Sequence, residues 1–213
     1  KTLWVNDSCG QIEMPQPHGG AVAESGISAQ GDLTIGGDKL FIPTGRAVPA
    51  AFDLTTGEFK YFHLELYNNY GGTEIMATDS FLFVPGGNTR DFDEIRGTKY
   101  VTFHTDNGSI IPGDFNSEAV AISPGYIYCV NNKTHQVEAY QTENLLISDE
   151  VLNRKGENIK VNKLALPVWK TDVMNDYVKT LIVTGNKLVA GTETGKVLIM
   201  DKKDGKLKST LMV

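Results

Sequence analysis

Four segments of the sequence repeat one pattern, and this internal repetition is the strongest constraint on the fold. Each copy has a short apolar run, a turn rich in Gly or Asp, a second apolar run, a loop, and two further runs joined by a tight turn. Successive copies recur roughly every 40–45 residues, a spacing typical of a unit of four strands. The copies occupy residues 32–62, 73–103, 117–147 and 179–209, and a polar insertion lies at about 148–163.

The residues between the turns favour strands over helices. Short runs rich in Val, Ile, Phe and Tyr alternate with clusters of Gly, Asn, Asp and Pro, which is typical of antiparallel strands and tight turns. A single four-stranded unit cannot bury both of its faces, so neighbouring units are expected to stack. The sequence therefore predicts an all-β fold, a β-propeller of about four blades with four antiparallel strands each, forming one domain over residues 1–213.

A tight turn with an aspartate four residues before a glycine recurs in three of the copies. The aspartate can accept hydrogen bonds from turn amides, and the glycine can adopt a positive φ. Equivalent turns of different blades lie far apart, so we predict a structural role and no shared metal or acid–base site. The third copy has Gln141 at the aspartate position. The pairs are Asp53 with Gly57, Asp93 with Gly97, and Asp201 with Gly205.

These stretches resemble the PQQ-like, or quinoprotein-like, β-propeller repeat. The matching sequences are "KTLWVN" (1–6), "AAFDLTTGEFKYF" (50–62) and "VLIMDKKDGKLKS" (197–209). The resemblance covers nearly the whole chain in four copies. "PTGRAVPAAFD" (43–53) and "PVWKTDV" (167–173) are also similar to outer-membrane assembly lipoprotein-type propellers of planctomycete-like bacteria.

The resemblance implies that residues 1–6 are the outer strand of a further blade. Four blades and one strand do not close a ring of six to eight blades, and an open ring would expose apolar blade faces. We therefore expect the remaining blades or domains in a longer chain, with a closed four-bladed ring as the alternative. The resemblance also implies a periplasmic or cell-surface location.

The resemblance raises the alternative of a PQQ- or haem-linked oxidoreductase. Such enzymes hold PQQ through a calcium site of Glu, Asn and Asp, use an Asp base, and often carry a Cys-Cys pair. The two cysteines here, Cys9 and Cys129, are far apart, and no Cys-x-x-Cys-His haem motif occurs. Trp4 and Trp169 fit strand-packing aromatics. We predict no catalytic residue, metal ligand or cofactor in this segment, so catalytic residues of an enzyme would have to lie outside it.

Cationic side chains recur in the loops that join the second and third strands of the predicted blades. In a propeller these loops lie on the same face as the connections between blades, where ligands commonly bind. Arg and Lys can bind carboxylates. We therefore predict a non-enzymatic scaffold or binding module for an acidic protein or polymer; the alternative is that these are solvated turn residues. The candidate ligand-binding residues are Arg46, Arg90, Lys133, His135 and Lys196, with His18 from a connection between blades.

Charge and hydropathy argue against two other classes of function. The net charge is −6 and no run of Lys or Arg occurs, which is unlike a nucleic-acid-binding protein. No apolar run approaches the length of a membrane-spanning helix. His63 and His104 follow phenylalanines in successive copies and are predicted to be surface residues of outer strands. The insertion at about 148–163 is either a mobile binding loop or a tolerated insertion. A purely structural subunit of a larger complex is a further alternative.

Overall fold

The structure, a computed structural model, is all-β as the sequence predicts. It describes residues 1–8, 11–16, 20–45, 47–63, 74–85, 99–111, 115–131, 133–172 and 175–213. Within these ranges the chain forms strands and turns but no helix, so none of the described segments is a helix long and apolar enough to cross a membrane. The chain divides into two compact units, Lys1–Ile95 with Tyr100–Ile111, and Arg96–Lys99 with Pro112–Val213.

The first unit contains one small hairpin and two antiparallel sheets. The hairpin consists of β1 (Ile12–Pro15) and β2 (Val22–Ser25). Sheet 1 consists of β3 (Thr34–Gly36), β4 (Lys39–Ile42), β5 (Ala50–Asp53) and β6 (Phe59–Tyr61), and sheet 2 of β7 (Met76–Ala77), β8 (Phe81–Pro85) and β9 (Lys99–His104).

Sheet 1 packs on sheet 2 through one of its two faces. Phe41, Ala51 and Tyr61 lie on this face because they are paired with one another across β4, β5 and β6. They are buried in one core with Leu82 and Phe103 of sheet 2. Burying a side chain as large as phenylalanine stabilises such packing by roughly 1.5–3 kcal/mol, so this core accounts for the association of the two sheets.

The second unit also contains two antiparallel sheets and one hairpin. Sheet 3 consists of β10 (Phe115–Ser123), β11 (Tyr126–Asn131), β12 (Gln136–Gln141) and β15 (Trp169–Lys170). The hairpin between β12 and β15 consists of β13 (Leu146–Leu152) and β14 (Asn158–Leu164). Sheet 4 consists of β16 (Val178–Thr184), β17 (Lys187–Thr192), β18 (Lys196–Asp201) and β19 (Leu207–Met212).

The core of the second unit pairs large side chains with small ones. Tyr128 on sheet 3 is flanked across the strands by Ala121 and Ala139, and these residues are buried with Leu188 and Met200 of sheet 4. Alanines beside a large ring leave room for the facing sheet to approach closely, as dense interior packing requires. The alternation of apolar residues in the sequence thus places sheets 3 and 4 face to face.

The tight turns have the structural role that the sequence predicts. Asp53 Oδ1 accepts hydrogen bonds from the N–H groups of Thr55 and Thr56, each at 2.9 Å, and Gly57 has a φ of 74°. Asp201 Oδ1 accepts a hydrogen bond from the N–H of Lys203 at 2.9 Å, and the glycine of that turn, Gly205, has a φ of 72°. Both aspartates therefore stabilise their own turns.

In the second repeat a tight turn is found at His104–Gly108, whereas the sequence predicted it at Asp93 and Gly97. Asp93 and Gly97 are outside the described residues. The backbone hydrogen bond that closes the first turn, from Gly57 N–H to Asp53 O, recurs from Gly108 N–H to His104 O at 2.9 Å. Since His104 ends β9 at the position of Asp53, it is not equivalent to His63, and the prediction that both lie on outer strands is wrong.

An aromatic ring from a preceding segment packs on each of these turn glycines. Trp4 packs on Gly57, Tyr61 on Gly108, and Trp169 on Gly205, and a Cβ atom at any of the three glycines would overlap the ring. Trp4 also donates a hydrogen bond from Nε1 to Leu54 O at 2.9 Å. The predicted structural role of Trp4 and Trp169 is confirmed, although residues 1–6 do not form the predicted strand.

The polar insertion folds as the hairpin of β13 and β14, slightly longer than the predicted range 148–163. Its register runs from Leu146 opposite Leu164 to Leu152 opposite Asn158. At its base, Ala165 N–H donates a hydrogen bond to Leu145 O at 2.9 Å. The hairpin therefore leaves sheet 3 and returns to it at one point, and β15 follows as the outer strand of that sheet.

Candidate functional site

Three of the six predicted ligand-binding residues lie in described parts of the second unit. Lys133 and His135 are in the turn between β11 and β12, and Lys196 is the first residue of β18. Both positions join the second and third strands of a sheet, as predicted. Arg46, Arg90 and His18 lie outside the described residues, so their part in a ligand site stays a prediction.

The turn between β11 and β12 is held by the side chain of Asn131. Its Oδ1 accepts hydrogen bonds from the N–H groups of Lys133 at 2.9 Å and Thr134 at 3.2 Å. Asparagine commonly stabilises a turn in this way. His135 follows with a φ of 54°, a conformation that is uncommon for residues with a side chain, although histidine adopts it more often than most. The turn thereby fixes the direction of the His135 ring and leaves Lys133 exposed.

The connection between β15 and β16 reaches the corresponding turn of sheet 4 through Asp176. Its Oδ2 accepts a hydrogen bond from Thr192 Oγ1 at 2.8 Å and another from Thr194 Oγ1, and it lies 3.4 Å from Lys196 Nζ. The hydrogen bond from Thr194 is the main cause that lowers the pKa of Asp176, with burial opposing it. Because Asp176 carries the compensating charge, Lys196 is an ion-paired residue and contributes little free positive charge.

Tyr177, next to Asp176, presents an aromatic ring between His135 and Lys179. Its side chain is 50% exposed. The His135 ring meets it edge-on with centroids 4.6 Å apart, and Lys179 Nζ lies 5.7 Å from its centroid. A cation at this distance from an aromatic ring is attracted by the electrons of the ring. Its backbone carbonyl accepts a hydrogen bond from Glu193 N–H at 2.8 Å, so the exposed ring stands on a fixed backbone.

We call Lys133, His135, Tyr177 and Lys179 the Tyr177 surface. It combines an exposed ring with Lys133, whose turn is held by hydrogen bonds, and with Lys179, the second residue of β16. This arrangement is suited to an anionic group attached to an apolar or planar body. The sequence analysis missed Tyr177 and Lys179. The signal available for Tyr177 was its position in a connection between two repeats, the same criterion that selected His18; Lys179 is the first residue of the fourth repeat.

The remaining histidines and aspartates of the described segments show no arrangement for metal binding. His63 Nε2 shares a hydrogen bond with Asn107 O at 2.7 Å, and its ring stacks on Tyr61 at 5.4 Å. His104 lies beside Phe81, with ring centroids 6.2 Å apart. Among the described residues, no group of three or more His, Cys, Asp or Glu side chains is placed to hold a metal ion.

Cys129 is a free, fully buried thiol on β11. It lies opposite Glu138 of β12, whose carboxylate accepts hydrogen bonds from Tyr140 Oη at 2.6 Å and Asn131 Nδ2 at 3.1 Å. Burial, and secondarily the charge of Glu138, raises the pKa of Cys129 well above its usual range. A thiol held neutral is a poor nucleophile, so the geometry assigns Cys129 to packing.

Comparison with solved structures shows the fold. Hsv2 of Kluyveromyces lactis aligns with 96% of this chain at 10% identity and a TM-score of 0.58, and Hsv2 of Kluyveromyces marxianus with 95% at 10% identity and a TM-score of 0.54. The chain spans 58% of the length of each. Both are β-propellers, so the predicted β-propeller fold is confirmed.

The comparisons do not extend to a family. No sequence profile of a protein family matches the chain, and no curated protein sequence matches it. BamB of Moraxella catarrhalis aligns with 100% of this chain and 76% of its own length, but at 14% identity and a TM-score of 0.38, too low to support an argument. The PQQ-like family therefore stays a prediction from the sequence.

Proposed function

We propose that this chain is a non-enzymatic binding module that takes an acidic protein or acidic polymer on its loop-bearing face. The observation that carries the proposal is the Tyr177 surface, where an exposed ring on the connection held by Asp176 meets the turn that Asn131 fixes and that carries Lys133. Fixed turns lose little conformational freedom on binding, which favours affinity. The periplasmic or cell-surface location implied by the family resemblance is part of the same proposal.

The chemistry of the surface indicates the class of ligand. Because Lys196 is paired with Asp176, we assign the positive charge that meets a ligand to Lys133, which is exposed on its turn. A lysine offers a point charge to a carboxylate, and an aromatic ring packs against the carbon skeleton that bears it. An acidic peptide or a polymer of sugar acids supplies both parts. Binding that depends on such exposed charges weakens as salt increases.

Fluorescein-labelled poly-L-glutamate, followed by fluorescence anisotropy at low salt, tests the proposal. Lys133→Glu is expected to raise the dissociation constant about 5- to 10-fold, because it replaces an attraction by a repulsion. Lys203→Glu is the matched control, since Lys203 is also an exposed turn lysine but lies at the opposite end of a sheet. Equal losses in both variants would show non-specific attraction, and absence of binding by the unmodified chain would reject the proposal.

The two predicted arginines extend the same test to the first unit. Exchanging Arg46 and Arg90 together for alanine should weaken binding of the same probe and leave the melting temperature nearly unchanged. A large fall in melting temperature with undiminished binding would instead assign both arginines to loop structure.

A further inference from the structure

The hairpin of β13 and β14 carries two adjacent basic residues at its tip. Arg154 and Lys155 lie in the turn between the strands, and both side chains are exposed. The next residue, Gly156, has a φ of 80° and nothing within 4 Å of an added Cβ atom. Exposed loop tips are preferred sites of proteolytic cleavage. A basic pair in such a turn has the chemistry that suits an endopeptidase with an acidic specificity pocket.

The hairpin is held closed by its own contacts. It is a separate two-stranded sheet, and the hydrogen bonds and ion pairs that the structure gives for residues 147–160 all lie within it. At the turn, Asn153 Oδ1 accepts the N–H groups of Lys155 at 2.8 Å and Glu157 at 3.0 Å. A two-stranded hairpin is only marginally stable in water, so this one is expected to open more readily than a strand pair in a sheet core.

Opening the hairpin leaves sheet 3 intact, because the chain is held on both sides of it. Leu145 is 1% exposed, and its carbonyl accepts the hydrogen bond from Ala165 N–H at 2.9 Å. Further along, Val168 N–H donates a hydrogen bond to Ala139 O at 2.8 Å. An endopeptidase needs its substrate in an extended form, and the open hairpin supplies that form without breaking these contacts.

We propose that this hairpin is a processing site for an endopeptidase that cleaves after basic residues, and that the cut chain stays folded as two associated fragments. The bond that breaks is the peptide bond between Lys155 and Gly156, or the one between Arg154 and Lys155. Water is the second reactant. Its hydroxyl goes to the carbonyl carbon, which becomes a carboxyl group, and its hydrogen goes to the nitrogen, which becomes an amine.

The two fragments share enough structure to remain associated. Sheet 3 is built from both, since β10, β11 and β12 precede the cut and its outer strand β15 follows it. Trp169 of β15 pairs with Ala139 of β12. Tyr128 before the cut is buried in one core with Leu188 and Met200 after it. Cleavage at the tip therefore removes a covalent link and leaves the packing of the second unit in place.

The turn between β18 and β19 provides a matched comparison within the same unit. It also carries an adjacent pair of lysines, Lys202 and Lys203, but contacts from other segments hold it. Lys202 N–H donates a hydrogen bond to Asn186 O at 2.9 Å, and the ring of Trp169 packs on Gly205. To present this turn in an extended form, sheet 4 would have to come apart. The same basic chemistry is thus expected to be protected here.

Limited digestion with trypsin, with each cleaved bond quantified by mass spectrometry, tests the proposal. Synthetic peptides of residues 146–164 and 196–212 give the intrinsic cleavage rates of the same bonds, and the ratio of the peptide rate to the protein rate measures protection. The basic pair of the hairpin should be protected at least about tenfold less than the lysine pair of the comparison turn, because protection follows the population of the open form. Size-exclusion chromatography without denaturant should show both fragments of this cut in one peak.

Two double variants test whether opening of the hairpin controls the cut. Arg154→Gln with Lys155→Gln should abolish it and leave the melting temperature unchanged. Val151→Cys with Ile159→Cys places a disulfide across an opposed pair of residues, and the oxidised form should be cut at least about tenfold more slowly than the reduced form, because the bond holds the strands together. Equal protection of the two turns, equal rates for the oxidised and reduced forms, or separation of the fragments after the cut would each overturn the proposal.

Discussion

The turn glycines Gly57, Gly108 and Gly205 each contact an aromatic ring from a preceding segment. Gly57 satisfies two demands at once, since its φ of 74° favours a residue without a side chain and the Trp4 ring occupies the space of a Cβ atom. The same two demands recur at Gly108 with Tyr61. A residue that appears to belong to a turn therefore also determines how closely the preceding segment can pack.

Gly57→Ala should separate these two demands when compared with Gly156→Ala. Gly156, in the hairpin turn, has a φ of 80° and nothing within 4 Å of an added Cβ, so its exchange measures the conformational cost alone, on the order of 1 kcal/mol. Gly57→Ala should cost about 1–3 kcal/mol more, because the ring of Trp4 must move. Urea denaturation of both variants measures the difference, and equal losses would show that the ring shifts freely.

Residues whose role is local were predictable from the sequence, and residues whose role depends on a distant partner were not. Asp53 was identified because its hydrogen-bond donors are the next residues in the chain. Lys196 was expected to be available to a ligand, but it is paired with Asp176, which lies in another loop. Tyr177 was missed because its contact with His135, which lies more than 40 residues earlier in the chain, cannot be predicted from the sequence around it.

The hairpin of β13 and β14 leaves several of its apolar residues partly exposed. Ile147, Val151 and Ile159 are each about 40% exposed, and Lys163 forms an ion pair with Asp149 across the two strands. An isolated two-stranded hairpin is only marginally stable in water. The hairpin therefore depends on its cross-strand pairs and contributes little to the rest of the second unit.

Replacing residues 146–164 by a short Gly-Asn-Gly turn should change the free energy of unfolding by less than about 1 kcal/mol. The reason is that Leu145 and Ala165 are already joined by a hydrogen bond, so that a shorter loop fits and closes at slightly lower entropic cost. Leu145→Ala is the comparison, because this residue is 1% exposed and its truncation should cost about 2–5 kcal/mol. Chemical denaturation measures both; a deletion as costly as Leu145→Ala would show that the hairpin supports the sheet.

Strands whose apolar residues pack into the core between two sheets were predictable from the sequence. The strands of the hairpin of β13 and β14 were not. The sequence predicted β11 and β12 because their apolar residues must face sheet 4. In the insertion, Asp149, Glu150 and Lys160 interrupt the apolar pattern, so composition favoured a loop. The pairing of its strands follows from the turn that begins at Asn153, where Oδ1 accepts the N–H groups of Lys155 and Glu157.

Across the whole molecule, ionisable groups set the pH range in which the fold is stable. Hydrogen bonds from Thr55 and the neighbouring turn amides lower the pKa of Asp53, and the hydrogen bond and charge of Lys163 lower that of Asp149. Burial raises the pKa of the Tyr61 hydroxyl and of the Cys129 thiol. The two aspartates therefore stabilise the fold while they are ionised, and the tyrosine and the cysteine stabilise it while they are neutral.

The unfolding free energy should therefore be highest between about pH 5 and 8. Carboxylates with a lowered pKa contribute their stability above the unfolded value near 3.9 and lose it as the pH falls further. Thiols and phenols with a raised pKa lose theirs as the pH rises above the unfolded values near 8.5 and 10. Urea midpoints measured at pH 3, 7 and 9.5 test the loss of stability on the acid side and on the alkaline side. Cys129→Ala should flatten the alkaline limb and Asp53→Asn the acid limb; unchanged slopes would contradict the assignment.

At this largest scale the sequence predicted the propeller but not what completes it. Repeats specify how sheet 1 meets sheet 2 and how sheet 3 meets sheet 4, because those faces are encoded in the alternation of each strand. Sheet 4 also carries exposed apolar residues such as Ile182 and Leu211, and the pattern of its strands does not specify what these residues contact. Identifying it requires knowing which other surfaces the molecule encounters.

The packing of an aromatic ring on a later turn also orders events during synthesis. Trp4 is synthesised before Gly57, and Trp169 before Gly205, so neither ring can complete its packing until the glycine on which it rests has been made. These contacts therefore form in chain order, each one after the later turn has been synthesised. A ribosome that pauses just before such a glycine would leave the tryptophan ring without this contact until synthesis resumes.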